Sequence, residues 1–222
     1  MKNLESRLAL CRLAEDTLYT AVVSDSLDQL GIRHQAMREN LRPVHPRCKF
    51  AGWARTIACS DVYHVTADPY ALEIEAIDSL LPGEAAVVGT QQSVRNAPWG
   101  ELLSTAAKAR GARGAVIDGL VRDTGKIAEL GFPVFAAGIK PVDSMGRGVV
   151  SAYNVPVEIG DVLVHPGDFV LADEDGVVVI PGERVDEVIA VAADKVAREN
   201  GSRELLMKGA YLRDVFARFG VL

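Results

Sequence analysis

The chain has 222 residues and a mass of 23.8 kDa, which one large domain accounts for better than two full ones. A composition of 49% hydrophobic and 24% charged residues, with mean hydropathy +0.13, excludes a largely disordered chain. A net charge of −6 excludes a global positive field that would draw the protein to nucleic acid or to an anionic membrane surface. No run approaches the roughly 18 apolar residues of a membrane span. Cys11, Cys48 and Cys59 are too scattered for a disulfide framework or a C-x-x-C zinc site, so buried thiols in a reducing, cytoplasmic protein are expected.

In chain order, apolar periodicity predicts helices over 4 to 15 and 20 to 31, the second opened by Thr20 as cap and closed by Gly31 in a left-handed stop. Residues 38 to 48 read as loop, 51 to 59 as a strand, and the segment from Tyr70 to Glu84 as a helix followed by a Pro-Gly turn. Short β-branched runs bounded by Gly or Pro predict strands at 85 to 89, 114 to 119, 132 to 136, 162 to 168, 169 to 173 and 176 to 180. Trp99, Leu102, Leu103, Ala106 and Ala107 recur at helical spacing, which predicts a helix over 99 to 110 that ends at Gly111. A last amphipathic pattern covers 183 to 199. The sum is a layered α/β domain with an antiparallel or mixed second half. With no repeat or linker in sight, it spans 1 to 222, with a helical extension over about 183 to 222.

Several standard sites are missing: no G-x-G-x-x-G follows a strand, and there is no G-x-x-x-x-G-K-[ST], G-x-S-x-G or H-E-x-x-H. His34, His45, His64 and His165 stand alone, so a catalytic triad has no support. The informative stretch runs from a buried strand into Asp118-Gly119 and then Arg122-Asp123. Opposite charges just past a strand end fit a ligand site, since strand ends in α/β sheets are where ligands bind, but they fit a loop ion pair as well. Upstream, the helix that follows Asn96-Ala97-Pro98-Trp99 has Gly100 and Glu101 in its first turn. Free amides and the positive dipole end there suit an anionic ligand, although Glu101 could equally be an acid that stabilises its own helix.

These pieces occur together: NAPWGELL, twenty residues between Glu101 and Arg122, the RD pair, GFPVFAAGIKP, and VPVEIGDVLVHPGDFVLADEDGVVVIP. In this combination the chain resembles the family of 4-hydroxy-4-methyl-2-oxoglutarate aldolases and oxaloacetate decarboxylases, whose relatives include the regulators of ribonuclease E activity. The resemblance implies a three-layer β/β/α swivelling fold with N- and C-terminal helices. It also implies a homotrimer or homohexamer with sites between subunits, and a small 2-oxo acid as substrate, a 4-hydroxy-2-oxo diacid cleaved to pyruvate or oxaloacetate decarboxylated.

By the same resemblance Asp123 ligates a divalent metal, Mg²⁺ or Mn²⁺, and Arg122 holds the carbonyl or enolate oxygen. Glu101 orders water, and backbone amides of the segment Trp99, Gly100, Glu101, Leu102 and Leu103 hold the pyruvyl carboxylate. A neighbouring subunit's C-terminal acid completes the site; Glu199 matches it best, with Glu204 close by and a solvated helix face as the plainer alternative. Two departures stand out: Asp is usual where this chain has Glu101, and an acid is usual where it has Lys126. The roughly 40 residues beyond Pro181 favour a lyase over the shorter regulators that dock on a ribonuclease.

Overall fold

The computed structural model describes residues 3–46 and 48–221. Helices α1 (Leu4–Thr17) and α2 (Thr20–Gln29) open the chain, followed by strands β1 (Arg42–Pro43) and β2 (Phe50–Asp61) and helix α3 (Ala71–Asp78). Then come β3 (Glu84–Gly89), α4 (Glu101–Ala109), β4 (Ala115–Val121), α5 (Thr124–Leu130) and β5 (Val134–Ile139). Five strands follow, β6 (Gly148–Tyr153), β7 (Val157–Ile159), β8 (Val162–Val164), β9 (Phe169–Asp173) and β10 (Gly176–Ile180), and helices α6 (Val185–Met207) and α7 (Leu212–Phe219) close the chain.

The main sheet has the order β1-β5-β4-β3-β2-β9-β10. Strands β2, β3, β4 and β5 pair in parallel through the crossover helices, whereas β1, β9 and β10 are antiparallel to their neighbours. β6 shares one edge of the long β2 with β9, and β7 and β8 form a separate two-stranded ribbon.

Side chains alternate across this sheet with the period of two that a pleated strand imposes. Phe50, Val87, Val116, Phe135, Val170 and Val179 point to one face, where the β7–β8 ribbon covers them with Val157, Ile159, Val162 and Val164. The opposite face splits in two. Ile57, Val88, Ile117 and Val134 lie under α3, α4 and α5 together with Ala76, Ile77, Ala107 and Ile127. Ala51, Trp53, Phe169, Leu171, Val178 and Ile180 lie under α1, α2 and α6 with Leu18, Val22, Val188 and Ile189. The expected α/β class, the β/β/α layering and the terminal helices are therefore present.

Some boundaries move for local reasons. Thr20 is not the cap of α2: Tyr19 occupies that position, and the Thr20 hydroxyl, inside the helix, donates to Asp173 Oδ1 at 2.6 Å. Gly31 does take the left-handed conformation after α2, with φ 75°. The strand expected over 162 to 168 stops at Val164, because Asp168 Oδ2 accepts the His165 amide at 2.7 Å and closes a turn. Helix α6 runs to Met207, through Gly201. Strands β6 and β7 had no clear sequence signal. All three cysteines are free and buried.

Candidate active site

The C-terminal end of β4 and the N-terminus of α4 are stitched side by side. The Arg122 amide donates to the Trp99 carbonyl at 2.9 Å, and Trp99 bridges Val121 in parallel. The Trp99 indole is 1% exposed and donates to Ser104 Oγ at 2.9 Å, and that hydroxyl donates to the Gly100 carbonyl, so the helix start is pinned from within. Asp118, buried on β4, accepts from the amide and the hydroxyl of Thr90 and so fixes the loop that leads into α4. Burial raises the Asp118 carboxyl above its usual value.

Successive residues of an extended strand point to opposite faces. Asp123 breaks that alternation with a left-handed backbone, φ 59°, a conformation Asp tolerates better than most residues. Arg122 and Asp123 can thereby both line a single cleft of about 310 Å³, at the small end of ligand sites. Gly100 leaves the room: a Cβ there would lie 2.7 Å from Asp123 Oδ2 and 3.1 Å from Arg122 Cγ. The Glu101 amide donates to Asp123 Oδ2 at 3.3 Å, which seats the carboxylate at the positive end of α4.

The opposite wall was not foreseen. Asp143, on the loop after β5, accepts from Arg122 Nη2 at 3.0 Å through Oδ1, and from the Tyr70 hydroxyl at 2.6 Å and the Met145 amide at 3.0 Å through Oδ2. Arg122 Nε is 3.8 Å from Asp123, so the adjacent pair is the looser of the two contacts. Burial pushes the Asp143 carboxyl up, but the Tyr70 and Met145 hydrogen bonds and the Arg122 charge outweigh it and leave Asp143 below the usual carboxylate range. Its hydrogen bond to Asp143, then burial, push the Tyr70 phenol up to about 12.

Glu73 lines the same wall and has no hydrogen-bond partner among the described residues. Burial first, and the nearby Asp143 charge second, push its carboxyl up to about 7 against the opposing pull of Arg122. A sequence signal existed for it: Glu73, Ala76 and Ile77 fall on one face of α3, with buried Leu80 just past its end, so an acid sits at the head of an apolar stripe. Asp143 and Tyr70 had no comparable signal, since only the fold brings their loops together.

Of the residues expected at the site, Arg122, Asp123, Gly100, Leu102 and Leu103 line the cleft. Trp99 supports it from the core. Glu101 contributes its amide, but its carboxylate accepts from Thr105 Oγ1 at 2.8 Å along the helix and does not line the cleft. Glu199 does not line it within the chain either: on α6 it accepts from the Tyr19 hydroxyl and borders an apolar groove beside α2 and α7. Glu204 pairs with Lys208, and Lys126 with Glu129. Among the described residues no group of three or more His, Cys, Asp or Glu forms a ready metal cage, and no helix is long and apolar enough to cross a membrane.

A family model described as "RraA-like: Aldolase/RraA" matches residues 20–179. A protein of Halalkalibacterium halodurans named "Putative 4-hydroxy-4-methyl-2-oxoglutarate aldolase" is 30% identical over 195 residues, 86% of this chain and 88% of that one. An uncharacterized protein of Methanocaldococcus jannaschii is 42% identical over 132 residues, 59% of this chain and 62% of its own length. Protein DlpA of Legionella pneumophila is 30% identical over 195 residues, which span only 29% of its length.

Among solved structures, an uncharacterized Pseudomonas syringae protein superimposes with TM-score 0.86 at 26% identity, covering 99% of this chain and 96% of that one. A Streptomyces coelicolor protein described as an unusual member of the RNase ES inhibitor RraA family does so with TM-score 0.77 at 31% identity, covering 88% and 96%.

Proposed function

Because the chain belongs to the RraA-like, Aldolase/RraA family, we propose that its cleft is the active site of a carbon–carbon lyase that releases pyruvate from 4-hydroxy-2-oxo acids, diacids such as 4-hydroxy-4-methyl-2-oxoglutarate among them, and also decarboxylates oxaloacetate. What supports this most is the convergence of Arg122, Asp123 and the amide end of α4 on one small cleft.

A divalent cation, Mg²⁺ or Mn²⁺, is the cofactor assigned to Asp123. The donor set fits a hard ion that keeps several waters: Asp123 Oδ1 accepts no hydrogen bond among the described residues, and Gly100 keeps space beside the carboxylate. When bound, such an ion supplies Lewis-acid polarisation of the 2-oxo group.

The chain's own residues do the rest. The first-turn amides of α4 have no acceptor inside the helix and bind the substrate carboxylate. Arg122 donates to the C2 oxygen, where negative charge gathers as the C3–C4 bond breaks and its electron pair moves into the enolate. The C4 hydroxyl proton leaves to a water that a pair of carboxylates orders. Glu101, rotated away from Thr105, and a neighbouring subunit's Glu199 are the pair assigned to this, in a homotrimer or homohexamer. With oxaloacetate no hydroxyl proton has to leave, because CO₂ departs directly.

The test is pyruvate release from 4-hydroxy-4-methyl-2-oxoglutarate and from oxaloacetate, before and after chelator treatment. Activity lost to chelator and restored by Mg²⁺ is expected. Full activity in excess chelator sinks the metal assignment, and no pyruvate from any 2-oxo acid favours a binding protein of the ribonuclease-regulator kind.

A further inference from the structure

The two ends of the cleft differ in chemistry. At the α4 end, backbone amides, Arg122 and Asp123 are arranged for the part of a substrate that the lyase reading makes common to all, the 2-oxo carboxylate. The other wall, which on that reading faces the part of a substrate beyond C3, presents Tyr70, Glu73, Asp143 and Ser144. Among the described residues it has no cation of its own. Arg122, the one cationic side chain among the described residues that line the cleft, already pairs with Asp143 at 3.0 Å, and the whole cleft sets three carboxylates against it.

Apart from the Ser144 hydroxyl, which can donate or accept, the hydrogen-bonding capacity of that wall is also one-sided. Asp143 has its oxygens occupied by Arg122, Tyr70 and the Met145 amide. The Tyr70 hydroxyl has spent its proton on Asp143 and can only accept. Glu73, half-buried between the cleft and the core under α3, has two carboxylate oxygens and no hydrogen-bond partner among the described residues. Such a wall wants O–H donors from its ligand and repels a second carboxylate.

Resting on the lyase reading, we infer that the preferred substrates are 4-hydroxy-2-oxo acids with an uncharged polyhydroxy tail, of the kind sugar acids yield on dehydration, and not 2-oxo diacids. Glu73 is the specificity residue: it accepts a hydrogen bond from a tail hydroxyl, and with Asp143 it disfavours a terminal carboxylate. The cleavage balances as a retro-aldol. The C4 hydroxyl gives up its proton, the C3–C4 bond breaks, C4 leaves as the aldehyde carbon of a short aldose, and the enolate takes a proton at C3 to give pyruvate.

The experiment compares kcat/KM of the Mg²⁺-supplemented full chain at pH 8 for both C4 epimers of 2-oxo-3-deoxyhexonate and of 2-oxo-3-deoxypentonate against 4-hydroxy-4-methyl-2-oxoglutarate, allowing for two pyruvates from each diacid. A preference of about tenfold or more for a polyhydroxy acid is expected, because a site built to bond a hydroxyl discriminates strongly. Glu73→Gln keeps the side-chain shape and should lower that preference about tenfold or more, chiefly by weakening the polyhydroxy acid. Faster cleavage of the diacid by the unmodified protein, or an unchanged preference in Glu73→Gln, overturns the inference while the lyase reading stands. No pyruvate from either class overturns both.

Discussion

Arg122 and Asp143 face each other across the cleft, with Nη2 3.0 Å from Oδ1, and so tie the end of β4 to the loop after β5. Their side chains are 38% and 32% exposed, and a pair that open contributes only about 0–1 kcal/mol to stability. A ligand carrying its own negative oxygen can therefore take over part of the guanidinium at little cost to the fold.

Replacing that arginine separates a binding role from a structural one. Arg122→Ala is expected to lower turnover by roughly 10² or more, by analogy with losing an oxyanion donor, while the unfolding free energy stays within about 1 kcal/mol of the parent. Arg122→Lys should recover little, because a point charge cannot keep Asp143 and a substrate oxygen in a planar fork. Steady-state kinetics with parallel urea melts decide this; near-parental turnover in Arg122→Ala would leave only a loop ion pair.

Gly100 offers a steric test that leaves every polar group in place. Its backbone is extended, with φ −152°, so alanine is conformationally free there, yet the added Cβ would sit 2.7 Å from Asp123 Oδ2. Gly100→Ala should displace the carboxylate and cost about 10- to 100-fold in kcat/KM with the fold intact. It should also weaken Mg²⁺ or Mn²⁺ binding by titration calorimetry. Unchanged metal affinity would mean that the Asp123 position does not depend on this gap.

For Glu73 the structure predicts a pH effect on stability with a defined sign. Its carboxyl is raised from the ordinary 4.5 to about 7, first by burial and then by Asp143. Between those values the folded chain holds a proton that the unfolded chain has lost. This acid therefore makes stability fall as pH rises through that window, by no more than about 3 kcal/mol, and adds no slope above it. Glu73→Gln should flatten that part of the profile in urea midpoints measured from pH 4.5 to 8; superimposable profiles would argue that Glu73 is well solvated.

Assembly can be tested by complementation. If a neighbouring subunit's Glu199 completes the site, mixed oligomers of Asp123→Ala and Glu199→Ala chains contain some sites with both residues intact and regain part of the activity each parent lacks. Subunit exchange is checked first by mass spectrometry of the mixture. Silent mixed oligomers would remove Glu199 from the site and leave it in its own chain as the partner of Tyr19.

The parts of this architecture that are legible in sequence are those whose cause is local. The buried runs at Glu84–Gly89, Ala115–Val121, Phe169–Asp173 and Gly176–Ile180 are dense in small and β-branched residues, and Gly31 and Gly111 mark helix ends by their left-handed backbones. Arg122 and Asp123 stand out because adjacent opposite charges follow a buried strand. The far wall of the cleft escapes such reasoning: Tyr70 and Asp143 are 73 residues apart, and their hydrogen bond is a product of tertiary structure. Thr20 misleads for a related reason. It has the chemistry of a cap, but a buried acid on β9, Asp173, claims its hydroxyl.

One patch of the fold also bears on how the chain can be cut. The family match covers residues 20–179, yet Ala51, Trp53, Phe169 and Leu171 are covered by Cys11, Ala14 and Leu18 from the segment before it and by Val185, Val188, Ile189 and Ala192 from the segment after it. The matched segment is thus a unit of ancestry that, in this chain, leaves part of its sheet to be covered from outside it. Expressed by itself it would carry a bare aromatic and aliphatic strip along β2 and β9, the kind of surface that drives self-association. The two flanking helices are built as its lid, and they are the residues a truncation series should keep.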